Sequence, residues 1–184
     1  SSERMSILIR DLLNFSRLTK EEKKFENVNL NDVLKDVLSD FEVLIAQKKA
    51  VIEVETLPVI KGIALQINQL FFNLIGNSLK FSKPGVQPII SITAKLIAPG
   101  EDHLITQKEQ SYYLLTFMDN GIGFSPAYKE QIFEIFQRLN SRDEYAGTGI
   151  GLALSKRVVE NHSGFIIADS EEGQGATFRV YLPA

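Results

Sequence analysis

Seven of the chain's 12 glycines fall in three short stretches. They are Gly121 and Gly123 in Asp119-Asn120-Gly121-Ile122-Gly123-Phe124, Gly147, Gly149 and Gly151 in Gly147-Thr148-Gly149-Ile150-Gly151-Leu152, and Gly173 and Gly175 in Gly173-Gln174-Gly175-Ala176-Thr177. Glycine lets a backbone turn sharply or approach a ligand closely, so such clustering restricts the folds open to the chain. The middle cluster leads straight into a helical pattern, whose free amides and positive dipole end make a natural phosphate site. The first cluster opens on an acid at the end of a strand pattern. A carboxylate at Asp119 can accept a hydrogen bond from the exocyclic amine of adenine, where guanine presents a carbonyl and is rejected. A buried charged hydrogen bond of this kind contributes about 1.5–3 kcal/mol. The plain alternative is that each cluster is a structural turn and that Asp119 only bonds its own loop. Known phosphate loops do not fit. There is no G-x-x-x-x-G-K-[ST], Gly147, Gly149 and Gly151 are spaced G-x-G-x-G, and the polar residues 138–145 before them cannot form the buried strand of a dinucleotide fold.

A second feature lies on the helix expected over residues 62–81. Asn73, Asn77 and Lys80 stand at i, i+4 and i+7, so they share one face, while Leu70, Leu74 and Leu79 supply a buried side. Amide oxygens are hard ligands suited to Mg²⁺, which takes few protein ligands and leaves the rest to substrate phosphates. A lysine on the same stripe can pair with phosphate oxygens. Ordinary helix-surface polarity is the competing explanation.

The rest of the chain supplies a scaffold. Residues 1–20 read as an amphipathic helix with Met5, Leu8, Ile9, Leu12, Leu13 and Phe15 on one stripe. That stripe packs back on the main domain or belongs to a bundle completed elsewhere. Residues 20–24 form a charged break. Asn29 or Asn31 caps a second helix whose buried face runs through Leu30, Val33, Leu34, Val37, Leu38, Phe41, Leu44 and Ile45. Strands are expected over 51–56, 89–96, 112–118, 165–170 and 176–182, and helices over 126–136 and 149–161. Residues 98–110 read as a polar, exposed loop and 137–147 as a polar, mobile one. The order is α+β with a mixed sheet and a closing hairpin, so the helices collect on one face as a two-layer α/β sandwich.

Composition excludes several functions. With 184 residues and no cysteine, the chain has room for one domain plus an appendage but no disulfide, thiolate metal site or cysteine nucleophile. Two histidines rule out a histidine-rich metal site. A net charge of −3 argues against nucleic-acid binding by bulk electrostatics. No apolar run approaches the ~18 residues of a membrane span, no signal peptide opens the chain, and no membrane contact is expected of this portion. Beginning at Ser1 inside a helical pattern, the chain reads as a piece of something longer.

These motifs together resemble the sensor histidine kinases of two-component systems. Asn73-Leu74-Ile75-Gly76-Asn77-Ser78-Leu79-Lys80-Phe81-Ser82 looks like their N box, residues 119–124 like G1, Phe133-Glu134-Ile135-Phe136 like the F box, residues 147–152 like G2, and 173–177 like the last glycine box. All five stand in the family's order across residues 28–184. The resemblance implies the Bergerat ATP-binding fold, shared with gyrase-type ATPases and the Hsp90 chaperones. The F box, and a stretch Asp11-Leu12-Leu13-Asn14-Phe15-Ser16-Arg17-Leu18 that resembles the second helix of the dimerisation and histidine-phosphotransfer domain, favour the kinase branch. Residues 1–24 are then part of that helix with its linker, and residues 25–184 the catalytic domain.

Carried over residue by residue, the resemblance implies ATP and Mg²⁺ as cofactors. Asn77 coordinates Mg²⁺, Asn73 lies beside metal and phosphates, and Lys80 contacts phosphate, with Phe81 following it in the same box. Asp119 reads the adenine amine, and Gly121, Ile122 and Gly123 shape that pocket. Phe133 and Phe136 anchor the base of a lid, and Arg138 lies near the γ-phosphate. Gly147, Thr148, Gly149, Ile150, Gly151 and Leu152 form the hinge and the phosphate-facing turn, and Thr177 sits near adenine. Asn73, Lys80 and Arg138 make the implied catalytic set. Implied partners are the histidine-bearing helix of the parent kinase, paired in a homodimer, and a response-regulator receiver domain, in the cytoplasm. The family's acceptor histidine stands on a helix this chain does not carry, and neither His103 nor His162 is expected to replace it. Two further functions share the fold: a docking module that binds nucleotide or nothing, and an anti-sigma-type serine kinase.

Overall fold

The computed structural model describes residues 24–139, 145 and 147–184, together with Met5, Ser6, Ile9, Arg10, Leu12, Leu13 and Ser16. Those seven N-terminal residues are helical, and Met5, Ile9, Leu12 and Leu13 are exposed. The expected stripe positions Leu8 and Phe15, most of the charged break and much of the 137–147 stretch lie outside the described residues.

From Glu26 the order is β1 (Glu26–Asn29), α1 (Leu30–Asp40), α2 (Glu42–Lys48), β2 (Val51–Val54), β3 (Val59–Gly62), α3 (Ala64–Lys80), β4 (Ile89–Ile97), β5 (Tyr112–Asp119), α4 (Gly151–Asn161), β6 (Phe165–Ser170) and β7 (Ala176–Pro183). The main sheet has five strands in the order β2-β4-β5-β7-β6, with β2 parallel to β4 and the other pairs antiparallel. The mixed α+β sandwich is therefore as expected. The inward residues of alternating strands, Ile90, Ile92, Leu115, Phe117, Phe178 and Val180, join the buried faces of α1, α3 and α4 in one core. Leu70, Leu74 and Leu79 are fully buried on α3, which leaves Asn73, Asn77 and Lys80 to the opposite stripe.

Four expectations change. The second helix is two helices, because the chain breaks at Phe41 (φ −97°, ψ 7°), whose ring stacks on Phe72 at 4.7 Å. Asn29 is its N-cap, accepting from the Asn31 N–H, while Asn31 both donates to and accepts from the backbone of Leu57. The antiparallel ribbon of β1 and β3 was not legible, since its pairing joins segments that two helices and a strand separate in the chain. The helix expected over 126–136 is a pair of 3₁₀ turns, Pro126–Tyr128 and Gln131–Phe133, because the chain becomes extended at Glu134 (φ −75°, ψ 147°) and left-handed at Phe136 (φ 66°). Residues 98–110 are irregular but not simply exposed. Ile105 is buried against Ile97, Tyr112 and Tyr181 on the sheet face away from the helices, and Asp102 accepts from the Tyr181 hydroxyl at 2.8 Å.

Candidate functional site

A cavity of about 410 Å³ opens between α3, the end of β5, the start of α4 and residues 137–139, 145 and 147–149. The carboxyl end of β5 delivers Asp119 into it. One oxygen, Oδ1, accepts from the backbone N–H groups of Gly121 (2.8 Å) and Ala176 (3.2 Å), and Oδ2 accepts from the Ser78 hydroxyl (3.0 Å). Burial pushes the carboxyl above its ordinary value, against these hydrogen bonds, which pull it down. The first and last glycine clusters clasp each other to hold it there. Gly175 has φ 84°, and a Cβ on it would lie 1.9 Å from the Asp119 carbonyl oxygen, so no side chain fits. Ser170 completes the clasp, donating to the Gly175 carbonyl (2.6 Å) and accepting from the Phe124 N–H (2.9 Å).

Another part of the wall is basic. Lys80 stands 4.6 Å over the Phe81 ring, and its ammonium is held below its ordinary value by burial first and by Arg138 second. Arg138 donates to the carbonyls of Gly147 (2.8 Å) and Tyr145, and the Tyr145 ring lies 5.1 Å from that of Phe81. No side chain caps the start of α4, and its first two residues, Gly151 and Leu152, line the cavity, so the positive end of the helix dipole lies at the wall. Asn73 ties the two helices together, accepting from Gln69 (2.9 Å) and donating to the Gly151 carbonyl (3.0 Å). Arg10, Lys80 and Arg138 face the single carboxylate of Asp119 among the residues lining the cavity.

The structure thus brings together most of the residues singled out from sequence. Asn73, Asn77, Lys80, Phe81, Asp119, Gly123, Arg138, Gly147, Thr148, Gly149, Gly151 and Leu152 all line the cavity. Gly121 stands behind Asp119, where a Cβ would meet the Phe81 carbonyl at 2.4 Å, and Ile122 donates to that same carbonyl. Ile150 is fully buried beneath the turn. Thr177 does not reach the wall. Its neighbours Ala176 and Phe178 do, and the strand alternation points Thr177 to the other face, opposite Met118 and Asp169. Phe133 is buried edge-on against Phe178, whereas the Phe136 side chain is exposed and only its backbone holds the lid, through its N–H to the Gly149 carbonyl (2.9 Å). Ser78, Ser170, Gln69 and Arg10 were missed, because nothing in their local spacing marks a serine or glutamine that acts on a distant segment.

Residues 62–184 match the family model of histidine kinase-, DNA gyrase B- and HSP90-like ATPases. Cyanobacterial phytochrome A of Nostoc sp. is 35% identical over 179 residues, covering 97% of this chain and 22% of that protein. Sensor protein kinase WalK of Staphylococcus saprophyticus is 31% identical over 187 residues, covering 99% of this chain and 29% of WalK. The chain thus spans less than a third of the length of these curated relatives. Among solved structures, full-length ShkA in complex with AMPPNP superposes with a TM-score of 0.75 at 26% identity, covering 96% of this chain and 35% of ShkA. The mycobacterial sensor histidine kinase MprB gives 0.69 at 25% identity, covering 87% of this chain and 97% of that one. The family model spans residues 62–184 and every lining residue of the cavity except Arg10, and on that ground the chain belongs to the histidine kinase-, DNA gyrase B- and HSP90-like ATPase family, with sensor histidine kinases among its relatives.

Proposed function

We propose that residues 25–184 are the catalytic ATP-binding domain of a sensor histidine kinase and that residues 1–24 hold part of its second dimerisation helix and the linker. The observation that carries this reading is the make-up of one cavity wall: a carboxylate fixed by three hydrogen bonds, together with Lys80, Arg138 and an uncapped helix start. Asp119 accepts from the adenine amine, and the basic part takes the phosphates. Among the described residues no group of three His, Cys, Asp or Glu side chains could hold a metal ion alone. That fits Mg²⁺ held by Asn77, whose amide lines the cavity, with phosphates and water completing the shell. When bound, Mg²⁺ neutralises phosphate charge.

The chain's own residues position and neutralise. A histidine on the parent kinase's bundle, with an unprotonated ring nitrogen, attacks the γ-phosphorus in line. A P–N bond forms as the bond to the ADP oxygen breaks, and ADP leaves carrying the electron pair. Lys80 and Arg138 stabilise the charge moving onto the leaving oxygen, and Asn73 fixes the distance between α3 and the phosphate-facing turn. The phosphohistidine then passes its phosphoryl to a response-regulator aspartate. No helix among the described residues is long and apolar enough to cross a membrane.

Calorimetric titration with Mg-ATP and Mg-GTP tests the reading. ATP binds and GTP does not, and Asp119→Asn weakens ATP at least tenfold, the loss of one charged hydrogen bond. A folded wild-type protein that binds neither nucleotide, or both equally, overturns it.

A further inference from the structure

The cavity wall includes one residue from outside the domain that builds it. Arg10 belongs to the N-terminal helical residues, yet it lines the cavity together with Gln69, Phe72 and Asn73. These lie on α3 on the amino-terminal side of Ser78, which binds Asp119. Nine residues of helix separate Gln69 from Ser78, about 13 Å along the axis. The other two cations of the wall each have a contact within the protein. Arg138 donates to two lid carbonyls, and Lys80 rests on the Phe81 ring. Among the described residues Arg10 has no hydrogen-bond or ion-pair partner. Its guanidinium is exposed at the mouth, on a wall with three cations and one carboxylate, in a chain whose net charge is −3.

We propose that Arg10 is a positioning residue for the terminal phosphate of the bound nucleotide, so that the γ-phosphoryl itself fastens the N-terminal helix to the catalytic domain. The inference rests on the reading of this cavity as an ATP site. A guanidinium suits the task, because its fork can engage two phosphate oxygens at once and it stays charged at any working pH. The contact exists only while the third phosphate is present. After transfer, ADP leaves Arg10 without its partner, and the helix is released from the domain.

The test is titration of the full chain with Mg-ATP and Mg-ADP, comparing wild type with Arg10→Ala and Arg10→Glu. Arg10 is exposed, and a thermal melt of each variant checks that the fold is unchanged. Arg10→Ala weakens ATP about tenfold and ADP less than twofold, and Arg10→Glu weakens ATP further. A merely structural role for the helix lowers both nucleotides together. Equal losses for ATP and ADP, no loss at all, or a glutamate variant no weaker than the alanine one overturn the role of Arg10 while leaving the ATP site standing. A wild-type protein that binds neither nucleotide removes the site reading and this inference with it.

Discussion

Burial pushes the Asp119 carboxyl above its ordinary 3.8, although the Gly121 and Ala176 N–H groups and the Ser78 hydroxyl all favour the charged form. The fold therefore binds the proton of this acid more tightly than the unfolded chain does. The stability it contributes is complete below pH 3.8 and is lost as pH rises through the elevated folded value. At pH 7 the carboxylate is a strain on the protein that recognition of an amine requires. Asparagine is nearly isosteric and keeps the network satisfied. Its amide oxygen still accepts from Gly121 and Ala176, and its NH₂ donates to the Ser78 oxygen. The same Asp119→Asn substitution that is expected to weaken ATP binding is thus expected to raise the melting temperature of the nucleotide-free protein at pH 7, by about 2–4 °C for about 1 kcal/mol. The gap closes as the buffer is acidified through the raised folded value, below which the wild-type carboxyl is protonated as well. Calorimetric scans across that range check it, and a variant that melts lower at pH 7 shows that the charged form is needed for folding.

At the scale of elements, two asparagines two residues apart have different jobs. Asn29 caps α1 by accepting from Asn31, an exposed local bond. Asn31 donates to the Leu57 carbonyl (2.7 Å) and accepts from the Leu57 N–H (2.8 Å), so one side chain imitates a strand neighbour and fastens α1 to the segment between β2 and β3. Asn29→Ala is expected to lower stability by about 1 kcal/mol. Asn31→Ala costs more, about 2–3 kcal/mol, because two partly buried backbone groups lose their partner. Urea denaturation with an unchanged slope distinguishes the two, and equal losses contradict the assignment. Sequence showed a cap at one of these positions but not which one, since both residues have the right chemistry and the difference lies 26 positions away. The same physics divides the other elements. α3, α4 and the long strands β4, β5 and β7 were legible because their apolar periods run over eight residues or more. The ribbon of β1 and β3 and the Phe41 break depend on contacts between distant segments and leave no period. The site was legible through its glycines, because steric exclusion at Gly175 or Gly121 fixes residue type locally. Ser78 and Ser170, which orient what the glycines shape, have no such signature.

Across the whole molecule, the sheet separates two kinds of packing. The face covered by α1, α3 and α4 carries the main core and, at its edge, the cavity. The other face is closed by the irregular segment after β4, whose Ile105 packs with Ile97, Tyr112 and Tyr181 while the Phe165 and Tyr181 rings stack at 4.3 Å. Polarity along residues 98–110 suggested a solvated loop, and averaging over its many polar side chains hid the one isoleucine and one aspartate that fasten it down. Tyr181 is the centre of this second cluster. Burial, and donation of its hydroxyl to Asp102, hold its phenol up from 10.0 to about 12. For an acid whose folded pKa is raised, the stabilisation is complete below the unfolded value and is lost as pH climbs through the folded one. The window therefore runs from pH 10.0 to about 12. Tyr181→Phe keeps the ring stack and removes the hydroxyl. It is expected to lower stability at pH 8 by about 1 kcal/mol, one hydrogen bond, and to flatten the fall of the urea midpoint between pH 10 and about 12. Because the sheet lies between this cluster and the cavity, affinity for Mg-ATP at pH 8 should stay within twofold of wild type. A Tyr181→Phe protein that loses ATP binding while remaining folded would mean that the two faces are coupled through the backbone of β7, which carries Tyr181 on one side and Ala176 and Phe178 of the cavity wall on the other.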